Sequence, residues 1–251
     1  MRATAIEFRL RMAINAVIII LGFWAPWTGH WGTGQRTSLI EWLAIQISRF
    51  GIASFGVATT ALLIIALFFA AAAAWFRVWG TAYLGPSTVS SFHMIAGKVI
   101  ADGPYRYLRN PLYIGVWCMV AAMAFLMPAS GGLFAIVLIA IFAVRLTLGE
   151  EVFLASQLGD PYRVYLRSVP RFIPRLRGAP EPAGARPHWV RAALAELTPI
   201  GIFVGIVVFA RNYDLALAGR VILVFFGASL VVRAFLPKTE RSGGPEIKES
   251  R

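Results

Sequence analysis

The stretch from Arg109 to Glu151, "RNPLYIGVWCMVAAMAFLMPASGGLFAIVLIAIFAVRLTLGEE", decides how the chain folds. It holds two apolar runs, Pro111 to Met127 and Leu133 to Leu148, joined by "MPASGG". A run of about 20 apolar residues crosses the hydrocarbon of a bilayer as a helix. The proline and paired glycines between the runs make a tight turn, so the runs form an antiparallel helical hairpin. Arg109 lies 19 residues before Pro128, and Glu151 lies 19 after Gly132. At about 1.5 Å of rise per residue, both return to one depth. "RNPLY" and "GEE" therefore face each other at the open end of the hairpin.

The rest of the chain fits a membrane setting. Of 251 residues, 58% are hydrophobic and 14% charged, with mean hydropathy +0.69. A soluble domain carries about 25% charged residues. The expected fold is all-α, a polytopic membrane helical bundle of about six transmembrane helices. The six candidates are Met12–Trp27, Phe50–Val78, Pro111–Met127, Leu133–Leu148, Ala192–Ala210 and Leu215–Leu236. With the N-terminus inside, alternating spans put 20 Lys and Arg on the inner side and 4 on the outer. That bias orients both termini to the cytoplasm, in the cytoplasmic membrane. The net charge of +12 sits between apolar blocks, so it points to anionic lipid headgroups, not nucleic acid. Arg2, Arg9 and Arg11 precede the first run, which no small-residue cleavage site follows, so it reads as a retained helix. "TSLIEWLAIQI" reads as an outer interfacial helix. The division is a membrane core over 1–176, a linker over 177–190, two further spans over 191–236 and a disordered tail over 237–251.

At the hairpin mouth, Asn110 is a good N-cap and Pro111 a good first helical residue. The helix end they form favours anions, and Arg109 adds a forked donor for carboxylate or phosphate. An interfacial Arg, a cap and tyrosine anchors at headgroup depth explain the same residues. Glu150 and Glu151 point about 100° apart on a helix and so take different partners. One suits a ligand ammonium or ribose hydroxyls, the other Arg109 or Arg145; solvation of both by headgroup water is the alternative. Asp160 and Pro161 in "LGDPYRVYLRSVPRFIPRL" cap and start a short helix. Its Tyr and Leu would lie in the interface and its Arg163 and Arg167 meet phosphates, as a lid or floor to the mouth or as a plain surface helix. No His or Cys has a second ligand at metal-binding spacing, so no metal site is expected, and Cys118 reads as a packing residue. Walker, GxGxxG and Gly-x-Ser-x-Gly motifs are absent.

Taken in order, "GPYRYLRNPLYIG", "EE" and "LGDPYRVYLRSVPRFIP" resemble the isoprenylcysteine carboxyl methyltransferase family and the related phospholipid methyltransferases. These are integral-membrane enzymes that use S-adenosylmethionine. The match spans about Gly80 to Leu176. The resemblance implies cofactor contacts from Tyr105, Asn110, Pro111, Leu112, Tyr113 and Glu150. It adds Lys98, Val99 and Ile100, in the place of a family segment that lines the adenosine pocket. Arg109 and Glu151 belong to the matching motifs as cofactor-site residues or their supports. Arg145 stands near the place of a substrate-contacting, catalytic Arg. The departure is Asn110, where the family's usual residue is His; a backbone contact or a cap survives that change.

The implied activity is methyl transfer to a lipidic or prenylated small acceptor. A phospholipid amine methyltransferase, a nicotinamide-dependent membrane sterol reductase and a non-catalytic scaffold are the alternatives. The last two spans are free to complete the acceptor pocket or to build a homo-oligomer.

Overall fold

A computed structural model describes residues 2–27, 37–90, 99, 101–175, 181 and 184–235. Among them the chain forms eleven α-helices and one 3-10 turn, with no strand longer than an isolated bridge between Ser38 and Pro128. The helices are α1 (Ala5–Arg9), α2 (Arg11–Trp24), α3 (Leu39–Arg49), α4 (Phe55–Leu84), α5 (Pro86–Ser90) and α6 (Pro111–Ala124). Then come α7 (Ala129–Leu158), α8 (Asp160–Ser168), α9 (Trp189–Ala195), α10 (Leu197–Asn212) and α11 (Leu215–Phe235). The 3-10 turn is Gly103–Arg106.

The hairpin is α6 and α7, and its turn is tighter than the sequence suggested. Ala129 to Gly132 form the first turn of α7, where Gly132 N–H donates to Pro128 O at 2.8 Å. Glycine is needed there because a Cβ on Gly131 would run into the carbonyl of Gly22 on α2. At its other end α7 continues ten residues beyond Leu148, until Gly159 at φ 63° breaks it. The free N–H groups of α3 are met by the hairpin's turn: Leu39 donates to Met127 O at 2.8 Å and Ile40 to Phe125 O at 3.2 Å.

Small residues let α4 and α6 close together. Ala58, Ala66 and Ala70 on α4 and Ala122 on α6 lie in one buried cluster with Leu62, Leu63 and Phe125. Ile202 and Ile206 on α10 join the same cluster, so the C-terminal helices share the hairpin's core.

The expected fifth span is broken. Residues Trp189–Ala195 and Leu197–Asn212 form two helices bent by 69° at Glu196. Pro199 has no N–H to offer the carbonyl of Ala195, which weakens the helix at that point. Glu196 itself turns inward to Arg77 and Thr81.

The molecule is a helical membrane bundle. Among the described residues three helices, Phe55–Leu84, Ala129–Leu158 and Leu215–Val232, are long and apolar enough to cross a membrane. Counted as one span, the bent pair makes a fourth. Arg11–Trp24 and Pro111–Ala124 are shorter apolar helices, so length alone does not give six crossings.

Candidate functional site

A cavity of about 170 Å³ opens where the start of α6 meets the last third of α7. The 3-10 turn and α8 wall its sides. The polar part is made by Arg109, Asn110, Tyr113, Glu150 and Glu151, and the apolar part by Leu84, Val99, Leu112, Leu154 and Leu158. Tyr105, Tyr162 and Tyr165, with Thr88 and Pro111, complete the lining.

The two glutamates divide as their helical angle requires. Tyr113 Oη donates to Glu150 Oε2 at 2.9 Å. Glu151, 7% exposed, binds two guanidinium groups. Arg109 Nη1 lies 2.9 Å from its Oε1, and Arg171 Nη2 lies 2.7 Å from its Oε2. Arg171 Nε donates to Oε1 as well, at 3.0 Å, and this bonding raises the guanidinium pKa above its usual value. Arg109 Nε is buried and has no hydrogen-bond partner among the described residues. That orphaned donor on a cavity-lining side chain fits an anionic ligand group, because a buried N–H without a partner costs about 1–3 kcal/mol.

The floor is set by backbone pairing. Arg109 N–H donates to Pro170 O at 2.9 Å and Arg175 N–H to Tyr107 O at 2.9 Å, so residues 170–175 run beside 107–109. This corrects the expected cap. Asn110 precedes α6 and Pro111 begins it, but the Asn110 side chain makes no capping bond. Its Nδ2 donates to Arg171 O at 3.3 Å, because the neighbouring strand of chain offers a carbonyl there. Leu112 packs over Gly80, where a Cβ would collide with it, and Tyr105 Oη donates to Gly80 O at 3.4 Å.

Several expected site residues lie elsewhere or were missed. Arg145 does not line the cavity and pairs with neither Glu150 nor Glu151. Its Nη2 lies 2.7 Å from Glu7 Oε1 on α1. Five residues at 100° each carry it well round α7 from Glu150. Val99 lines the cavity. Lys98 and Ile100 lie outside the described residues, as do His30 and His93. Asp160 is the first residue of α8, after Gly159, so it is not the cap, and it pairs with Arg163 at 3.1 Å on the surface.

Tyr162 and Tyr165 are buried, not spread in the interface. Tyr165 Oη donates to Tyr105 O at 2.8 Å. Burial raises the pKa of Tyr105, Tyr162 and Tyr165, so all three stay protonated through the physiological range. Their signal was present in "PYRVYLRSV", where Tyr162, Tyr165 and Val169 recur on one helical face.

A second cavity of about 350 Å³ lies between α6 and α7. It is lined by Ile114, Trp117, Ala140, Ala143, Val144 and Phe172, and it shares Tyr113 with the first.

Residues 60–160 match the model of the phospholipid methyltransferase family. The segment contains the hairpin and all the cavity lining except Tyr162 and Tyr165. The chain is also similar to a protein-S-isoprenylcysteine O-methyltransferase of Schizosaccharomyces pombe, with 37% identity over 90 residues. The matched part is 33% of this chain and 38% of that protein. No solved structure matches.

Proposed function

We propose that this protein is a member of the phospholipid methyltransferase family and an integral-membrane methyltransferase that transfers a methyl group from S-adenosylmethionine to a lipidic or prenylated acceptor. The observation that carries the reading is the cavity at the mouth of the family segment, with an unpartnered Arg109 Nε beside a carboxylate held by Tyr113. Arg109 and the start of α6 suit the cofactor's carboxylate. Glu150, oriented by Tyr113, suits its ammonium or ribose hydroxyls. Leu84, Val99, Leu154 and Leu158 give an apolar wall for the adenine. Tyr105, Asn110, Pro111 and Leu112 complete the contact surface, and Glu151 holds Arg109 in place. When bound, S-adenosylmethionine supplies a methyl group already activated on a sulfonium. The protein's task is then alignment and exclusion of water.

The apolar cavity behind Tyr113 suits the hydrocarbon part of the acceptor, which arrives from the membrane. The family's name favours a phospholipid acceptor and the relative's name a prenylated cysteine. Arg145, held by Glu7 on α1, has no catalytic part in this reading. The 20-to-4 bias of basic residues supports a cytoplasmic mouth and cytoplasmic termini, in the cytoplasmic membrane.

Purified protein in detergent, titrated separately with S-adenosylmethionine and with reduced nicotinamide nucleotide, is expected to bind only the first. Membranes containing the protein should then move label from the methyl group of S-adenosylmethionine into a phospholipid amine or a prenylcysteine carboxylate. Binding of the nicotinamide nucleotide alone, or no label in any lipid extract, would overturn the proposal.

A further inference from the structure

The last helices lie beyond residues 60–160, yet three separate sets of contacts tie them to the cavity's walls. The first is a buried carboxylate. Glu196, 1% exposed, accepts from Arg77 Nε at 2.9 Å and Arg77 Nη2 at 2.8 Å, and from Thr81 Oγ1 at 2.6 Å. Both partners are on α4, on either side of Gly80. Gly80 receives Tyr105 Oη on its carbonyl and Leu112 on its face, and both of these line the cavity. The Arg77 stem meanwhile fills the space a Cβ on Gly115 would take, one turn into α6.

The second set is aromatic. Trp189 on α9 stacks on Trp75, whose ring lies 5.6 Å from that of Trp79, which in turn lies 6.2 Å from Tyr107. The third is backbone bonding. Gly184 and Ala185 N–H donate to the two oxygens of Asp102 at 3.2 and 3.0 Å, and His188 N–H donates to Ala82 O at 2.9 Å. Asp102, 4% exposed, immediately precedes the turn that carries Tyr105.

We infer that Glu196 is a positioning residue for the cavity: it locks Arg77 and Thr81 so that Gly80 holds Tyr105 and Leu112 in place. The C-terminal helices are therefore part of the site's frame. A buried carboxylate must have its charge paired and its lone pairs met. This one takes three hydrogen bonds from the two residues that bracket Gly80.

Hydrogen exchange of the full-length chain in detergent, with no ligand added, tests this directly. Glu196→Gln should speed exchange across residues 102–113 about tenfold, by local opening. Gly201→Ala provides the comparison, since its Cβ would strike Phe225 on α11 and loosen the same extension without touching Glu196. It should speed exchange in α10 and α11 only. Thr81→Val, which removes one bond, should give a smaller acceleration at 102–113 and covers the case in which Glu196→Gln does not fold.

A binding arm rests on the proposed function. Affinity for S-adenosylmethionine should fall about tenfold in Glu196→Gln, should recover in part in Glu196→Asp, and should hold in Gly201→Ala. A parent that binds no S-adenosylmethionine would strike down the function and leave the exchange result standing. Unchanged exchange at 102–113 in both Glu196→Gln and Thr81→Val, or equal acceleration there by Gly201→Ala, would overturn the inference.

Discussion

Glu151→Gln is the most direct probe of how the hairpin mouth is built. The side chain is 9% exposed and sits between Arg109, at 12%, and Arg171, at 38%. Glutamine keeps the volume and one acceptor but removes the charge that both guanidinium groups share. Removing one partner of a buried pair costs about 3–5 kcal/mol, because the charge left behind stays desolvated. One neutral hydrogen bond survives and the mouth is partly open, so the lower end, about 3 kcal/mol, is expected. For a chain of this size about 1 kcal/mol moves the melting temperature by about 2–4 °C, so the fall should be about 6–12 °C. Arg171→Gln removes the more exposed partner and should cost about 1 kcal/mol or less.

Thermal unfolding in detergent measures both, and a double variant separates charge from packing. Arg109→Gln added to Glu151→Gln deletes the stranded cation. The pair should therefore be less destabilised than the two single changes summed, by about 1 kcal/mol or more. Equal losses for Glu151→Gln and Arg171→Gln, or strict additivity with Arg109→Gln, would show that the carboxylate is solvated and does not frame the site.

Tyr113→Phe strips the hydroxyl from Glu150, and a hydrogen bond to a charged group contributes about 1.5–3 kcal/mol, so S-adenosylmethionine affinity should drop about tenfold or more in calorimetric titration. Gly131→Ala pushes a methyl group into the Gly22 carbonyl; such overpacking costs about 1–3 kcal/mol and should lower the melting temperature by several degrees, whereas no change would mean that α2 does not pack there. Asn110→Ala should cost well under the roughly 1 kcal/mol of a lost cap, since no capping bond is present, and a larger loss of thermal stability would restore the cap. Reporter fusions after Gln35 and after Arg251 should report opposite sides of the membrane, and the same side for both would refute the proposed orientation.

The hairpin was legible because its signals are local: two apolar runs, with Pro and Gly between them. The meeting of "RNPLY" with "GEE" followed from rise per residue alone, and the structure brings Tyr113 to Glu150 and Arg109 to Glu151. What was not legible depends on distant partners. Asn110 has the composition of a cap, but residues 170–175 run beside 107–109 and take its amide instead. Arg145 is close to Glu150 in sequence, but only the packing of α1 reveals that Glu7 is its partner. Nothing near Arg171 in the sequence points to a partner, and its bond to Glu151 emerges only once α8 turns the chain back. The break at Glu196 has a local sign, a carboxylate followed by Pro199 inside an apolar run.

The adjacent glutamates show how one helix end can both brace a cavity and line it. A helix separates consecutive side chains by about 100°, so one carboxylate can face the frame while the next faces the cavity. Glu151 is consumed by two arginines, one from each side of the crossing between residues 107–109 and 170–175. Its charge is spent on holding the start of α6 against the end of α7. Glu150 has a phenol as its hydrogen-bond partner among the described residues, and a phenol orients a carboxylate without neutralising it. The Glu150 carboxylate lines the cavity, beside an arginine that still has an N–H to donate among the described residues. A single carboxylate at either position would have to serve as brace or as ligand contact. Two in sequence let the fold place a brace and a cavity-lining carboxylate at one depth, on a helix whose length carries it past the apolar run and out to the mouth.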